Sequence, residues 1–254
     1  NLGPDYVKAF NRVFGHAPTR DAAAKAVAAY ERTVLLGNSL HDRAEALMRK
    51  RVAEEEGAKF ALKAEDYAAA LKAEFASKGP ALKDLGLAAA ADAGKADEFG
   101  KRLLAGRELF FGKARCTNCH TGDTYTDHTF HNIGVGAKDG ALPLDEFGRL
   151  VRLPTGHKDA ALAGAFKTPG VRGLLWTAPY MHTGEDTTLE AVVDFYDRGG
   201  NVNPYLDEKM RDTAAEAAYI KARAEGKPVD PAVKTYGPSK KPIIPLKLNL
   251  GAQE

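Results

Sequence analysis

The residues of this chain best suited to chemistry gather in one pentapeptide, Cys116-Thr117-Asn118-Cys119-His120, which takes both cysteines and sets a histidine directly behind the second. A one-turn segment with this spacing presents two thiols to the two vinyl groups of a haem, and the adjacent imidazole then lies under the iron as proximal ligand. The pentapeptide therefore reads as a covalent haem c site. Three other chemistries use the same thiols: a structural disulfide, a zinc ion on Cys116 and Cys119, and a thioredoxin-like dithiol. Zinc asks for four ligands, and no second Cys pair or spaced His pair follows at a suitable interval. A redox dithiol belongs at the start of a helix in a βαβ pattern, whereas here a helical stretch ends just before the motif. Haem is attached to thiols outside the cytoplasm, so a periplasmic protein is expected.

Composition fits a mostly α-helical protein. The 254 residues are enough for a buried core and one or two domains. Lys plus Arg at 36 nearly balances Asp plus Glu at 34, and the net charge of +2 points neither to nucleic acid nor to a membrane surface. No apolar run reaches the roughly 20 residues of a membrane span. A secretion leader, where one is used, lies outside this sequence.

The elements that must position the motif follow from periodicity. Residues 5–14 carry Tyr6, Phe10, Val13 and Phe14 at helical spacing and stop at Gly15; Thr19 can cap a second helix with the stripe Ala23, Val27, Tyr30 and Val34. Both stripes are expected to be core. Asn38 can cap a third helix that runs to about Gly57. Residues 58–96 are rich in Ala, Lys and Glu, with Tyr67, Leu71 and Phe75 as a sparse apolar face, and are expected to form a helical excursion on the surface. A helix from about Asp97, with Phe99, Leu103, Leu104, Leu109 and Phe110, delivers the chain into the motif. Beyond His120 the sequence turns rich in Gly and Pro, as loops that wrap something rigid would be. A last well-defined helix is predicted with Thr187 and Glu190 as a capping box, Leu189, Val192, Val193 and Tyr196 on one face, and Gly199-Gly200 as its stop.

The order Cys-x-x-Cys-His, Phe130-His131-Asn132-Ile133-Gly134, Phe166-Lys167-Thr168-Pro169, Thr177-Ala178-Pro179-Tyr180-Met181-His182 and Leu189 to Gly200 resembles the C-terminal half of bacterial di-haem cytochrome c peroxidases and the related MauG. The resemblance covers about residues 5–45 and 97–250. It implies a class I cytochrome-c-like haem domain with long loops and helical extensions. The expected organisation is a helical segment at 1–57 that bridges from a missing N-terminal haem domain, a surface insertion at 58–96, and the haem domain at 97–254. Only one haem motif is present, so the chain is expected to be a fragment or one subunit of a split enzyme, with the peroxidatic haem in the absent half.

The resemblance also bears on the sixth ligand. Candidates are Tyr196, Met181, Met210 and the histidines at 128, 131, 157 and 182. In the peroxidases a methionine stands 14 residues after the Pro-Tyr-x-His histidine; here that position is Tyr196, and MauG is similar in having tyrosine there. His120 and Tyr196 are therefore the expected axial pair, with Met181 as second choice. Arg172 resembles a family arginine near the haem propionates. The carbonyls of Thr177 and Pro179 match positions that hold a calcium ion, and Trp176 is expected to be core rather than a relay. The implied activity uses hydrogen peroxide, either with electrons from a small redox protein or, as in MauG, to oxidise side chains of a protein substrate. In both cases this haem relays electrons, in a homodimer or beside a partner haem subunit. The alternative is a mono-haem electron-transfer module without peroxide chemistry.

Overall fold

The computed structural model describes residues 3–154, 156 and 159–251, so that His157 lies outside the described residues. The chain forms two compact units, residues 1–38 and 39–254.

In the first unit, α1 (Pro4–Phe14) starts on a proline and stops at Gly15, whose φ of 74° suits a residue without Cβ. Helix α2 (Arg20–Glu31) is capped by Thr19, whose hydroxyl accepts from the Ala22 amide at 3.1 Å. The two apolar stripes expected as core are largely exposed: Tyr6 by 63%, Val13 by 68%, Val27 by 57% and Tyr30 by 69%. Two short helices have too little surface to enclose side chains of this size.

The second unit begins with α3 (Leu40–Glu54). Its cap is Ser39, with Asp42 completing a capping box, one residue beyond the expected Asn38, which takes a left-handed φ of 58°. Helix α4 (Ala64–Ser77) packs on α3 and on α6 (Ala96–Phe111), and the short α5 (Ala81–Asp84) follows it. Leu40, Ala70, Leu71, Phe75, Leu82 and Ala96 form one apolar cluster, and Ala44, Met48, Leu62 and Tyr67 form another. The expected surface excursion is thus corrected, because Tyr67, Leu71 and Phe75 are the centre of the core. Small neighbours make a sparse apolar face sufficient. A Cβ on Gly100 would meet the Ala64 carbonyl at 2.6 Å, so α6 and α4 touch backbone to backbone there. Two carboxylates of α4 are buried against arginines of α3, Asp66 on Arg51 at 2.8 Å and Glu74 on Arg43 at 2.5 Å.

Beyond α6 the interior is mixed, with Val135, Phe195, Leu206 and Ile243 buried beside several polar groups. Strand β1 (Phe130–His131) pairs antiparallel with β2 (Phe166–Lys167). Asn132 and Asn203, both fully buried, exchange side-chain hydrogen bonds at 3.1 Å, and Asn132 also donates to the Ala163 carbonyl at 2.8 Å. Next to them His131 is clamped, Nδ1 on Asp207 and Nε2 on Asp127, each at 2.7 Å. Lys209 Nζ reaches Asp127 at 3.3 Å and donates to the Asn118 carbonyl at 2.5 Å, which ties this network to the pentapeptide. Helix α7 (Leu189–Asp197) is capped by Thr188, one residue past the expected Thr187, and ends before Gly199 and Gly200, whose φ values are 83° and 72°. Helix α8 (Thr213–Ala224) is anchored by Arg211 on Glu216, which also accepts from the Ile244 amide at 2.9 Å.

Two measurements check this description. Gly100→Ala is expected to lower the unfolding free energy by about 1–3 kcal/mol through overpacking, whereas Gly106→Ala on the same helix, where a Cβ meets nothing within 4 Å, leaves stability unchanged or raises it. Burial alone would raise the Asp127 pKa, but the bonds from His131 and the Thr129 amide outweigh it and hold the carboxyl well below the usual range. A carboxylate lowered in the folded state contributes stability that is complete above its unfolded pKa of about 4 and fades as pH falls toward the folded value. Acid denaturation monitored by circular dichroism should therefore show Asp127→Asn losing stability near neutrality and converging on the wild type in acid.

Candidate haem site

Helix α6 ends four residues before the motif, and Arg115, at a φ of 55°, turns the chain into a single 3-10 turn over Cys116–Asn118. The His120 amide donates to the Cys116 carbonyl at 2.9 Å, which sets the imidazole beside the turn. Both cysteines are free and half-buried, and burial pushes both thiols up. His120 Nδ1 lies 2.9 Å from the Tyr125 carbonyl. A carbonyl only accepts, so Nδ1 carries the proton and Nε2 keeps its lone pair for an electrophile. That is the tautomer an iron ligand requires.

Tyr196, on α7, is the candidate sixth ligand that the fold brings to the thiols. Burial, then the neighbouring Cys119 and Cys116 sulfurs, then Asp186 push its phenol far up. Its hydroxyl makes no hydrogen bond among the described residues, although the ring packs edge-on against Phe195 at 5.5 Å. A buried oxygen of Asp186, which acts electrostatically on Tyr196, is likewise unpaired. Two thiols, an imidazole with a free lone pair and an unpartnered phenol form a donor set that fits a haem c.

The described candidate histidines have partners of their own. Both ring nitrogens of His131 are taken by aspartates. His182 Nε2 lies 2.7 Å from Glu146, with its ring stacked on Phe166 at 3.5 Å, and His128 Nδ1 faces Lys167 Nζ at 3.4 Å. Met210 directs its Cε toward Gly200, and Met181 occupies a left-handed turn with φ 64°. Trp176, expected to be core, is instead 72% exposed on the 3-10 turn over Leu174–Trp176. Thr177 and Pro179 lie on the same exposed loop, with a cis bond between Ala178 and Pro179.

Arg172 meets a carboxylate of the protein. Its Nη1 reaches both oxygens of Asp42 at 2.9 and 3.0 Å, Nε donates to the Asp123 carbonyl at 3.0 Å, and the guanidinium lies 5.2 Å from the Tyr125 ring centroid. Burial would raise the Asp42 pKa, but the Ser39 amide and Arg172 lower it.

Sequence reasoning missed two groups. Cys119, Asp127 and His131 offer ligand atoms within 4.8 Å of one another, but Cys116 is not among them and the imidazole is already committed. Around His120, Phe110, Tyr125, His41 and Tyr67 form a run of ring contacts, which no spacing announces because the residues come from three helices and a loop.

No family model matches the chain. It is 38% identical over 118 residues to the methylamine utilization protein MauG of Methylorubrum extorquens, a match that spans 46% of this chain and 31% of that one. It is 29% identical over 273 aligned positions to the cytochrome-c peroxidase IdrP1 of a Pseudomonas species, across 94% of this chain and 60% of that one. Among solved structures, a MauG-like protein associated with microbial copper homeostasis is 31% identical over 42% of this chain and 39% of that one, with a TM-score of 0.37. The chain spans less than two thirds of the length of the curated relatives it matches. It is thus similar, over part of their length, to MauG proteins and to cytochrome-c peroxidases.

Proposed function

We propose that this chain carries the electron-relay haem of a periplasmic, hydrogen-peroxide-dependent di-haem oxidoreductase, with residues 97–254 as its cytochrome-c-like part. Cys116 and Cys119 would hold the haem covalently, and His120 and Tyr196 would be the residues that ligate its iron. The observation that carries this reading is the half-buried Tyr196 phenol, close enough to both cysteine sulfurs for them to act on it electrostatically and without a hydrogen bond among the described residues.

A bound haem would supply one-electron chemistry at iron. The residues of the chain set its character. The Tyr125 carbonyl accepts from His120 Nδ1 and makes Nε2 the stronger donor. Tyr196 in its dry setting keeps its proton unless a cation replaces it, so ligation and proton release are coupled. A phenolate is a hard, anionic donor that favours the higher oxidation state and lowers the reduction potential, where a thioether would raise it. Such a haem suits the sharing of oxidising equivalents, in the manner inferred for a MauG-like enzyme acting on a protein substrate, with reduction by a small redox protein as the other branch. The peroxidatic haem would belong to a further domain or a partner subunit, and the Thr177 and Pro179 carbonyls would contribute to a calcium site only together with ligands from there.

The single haem motif favours a second reading, a mono-haem electron carrier. Intact mass with a pyridine haemochrome assay separates the two: two haems per native assembly support the oxidoreductase, and one haem in a native protein of this length sinks it. Tyr196→Met should raise the reduction potential of the haem by on the order of 100 mV, read by spectroelectrochemistry. An unchanged potential and absorption spectrum would exclude Tyr196 as ligand.

A further inference from the structure

We propose that Tyr67 is a redox-active tyrosine, with His41 as its proton acceptor, Glu45 behind that histidine, and an aromatic chain leading to the proximal histidine, His120. The inference rests on the haem reading above.

Tyr67 lies on α4, is 3% exposed, and belongs to the apolar cluster of Ala44, Met48 and Leu62. A buried tyrosine hydroxyl usually finds a hydrogen-bond partner, and the identity of that partner decides what the phenol can do. Here the hydroxyl meets His41 Nδ1 at 2.6 Å, and on the other side of that ring Nε2 faces Glu45 Oε1 at 3.7 Å. Phenol, imidazole and carboxylate thus stand in line. A phenol becomes much easier to oxidise when a base takes its proton in the same event, since a protonated phenoxyl cation is avoided. Burial lowers the His41 pKa and raises that of Tyr67, so the resting pair is a neutral imidazole accepting from a neutral phenol. After oxidation the imidazolium is stabilised by Glu45.

The pair is also connected. Ring centroids run from His120 to Phe110 at 6.4 Å, Phe110 to Tyr125 at 6.0 Å, Tyr125 to His41 at 6.5 Å, and His41 to Tyr67 at 6.0 Å. Tyr125 also touches His120 through its carbonyl. The step balances as follows. Tyr67 gives one electron along this chain to the haem side and its proton to His41 Nδ1, leaving a neutral tyrosyl radical and a histidinium. The oxidant is hydrogen peroxide, which takes two protons from solvent and two electrons to become two waters, one electron originating at Tyr67 and the other at the small redox protein that serves as donor. The reverse transfers restore the phenol when an external donor supplies an electron.

Freeze-quench electron paramagnetic resonance on the haem-loaded protein tests this in two arms, one with hydrogen peroxide and one with a flash-generated ruthenium(III) tris-bipyridine oxidant. The expected result in both is a tyrosyl signal that narrows with ring-deuterated tyrosine, is lost in Tyr67→Phe and in His41→Gln, and persists in Tyr30→Phe. Circular dichroism checks that the variants fold. A haem absorption spectrum left unchanged by peroxide would defeat the peroxide reading alone, and the ruthenium arm would still decide Tyr67. A signal equal in wild type, Tyr67→Phe and His41→Gln, or no tyrosyl signal from an oxidised haem, would overturn the proposal.

Discussion

One hydrogen bond, from His120 Nδ1 to the Tyr125 carbonyl, governs what the pentapeptide can do. It fixes the tautomer of the imidazole and the plane of its ring, and it depends on Tyr125 staying where it is. The surroundings of Tyr125 serve that end. Arg172 lies over the ring and is itself held by Asp42 at the start of α3, while Phe110 packs edge-on from the end of α6. Removing the Asp42–Arg172 pair would therefore loosen a histidine that neither residue touches.

The second unit is held by two kinds of force on either side of this bond. Helices α3, α4 and α6 bury apolar side chains and seal two carboxylates against arginines, so their packing depends mainly on excluding water. The region after His120 adds satisfied polar groups, the Asn132–Asn203 exchange and the His131 clamp, to a few buried apolar side chains such as Phe195 and Ile243. Such networks are directional, so each member fixes a geometry where an apolar contact would fix only a distance. On the proposed haem reading, a loop-rich region that presents thiols and a phenol to one planar group needs that kind of definition.

Much of this was legible in the sequence, for physical reasons that differ residue by residue. The pentapeptide is local chemistry, and the caps at Thr19 and Gly15 are local backbone geometry, so both could be read directly. Tyr196 was reachable only through resemblance, since its spacing alone says no more than helix face. Helix α4 was misread because its apolar residues are few; what makes it core is the small size of its neighbours and of Gly100 opposite, a property of two surfaces together. The Asp42–Arg172 pair joins residues 130 positions apart and the His41–Tyr67 bond joins residues 26 apart, and no periodicity encodes either.

Helix α6 gives these facts a mechanical side. Its 16 residues make a stiff rod about 24 Å long, seated near its beginning by Gly100 against α4 and leading at its far end into Cys116. A tilt of about 5° at that seat would swing the far end by roughly 1.4 Å, which matches the ångström-scale tolerance of reacting groups. The rod is a lever, and the fulcrum is a glycine. The helix that the sequence left without a purpose is the bearing on which that lever turns, so the aim of the thiols and of His120 is geared to packing well away from the pentapeptide.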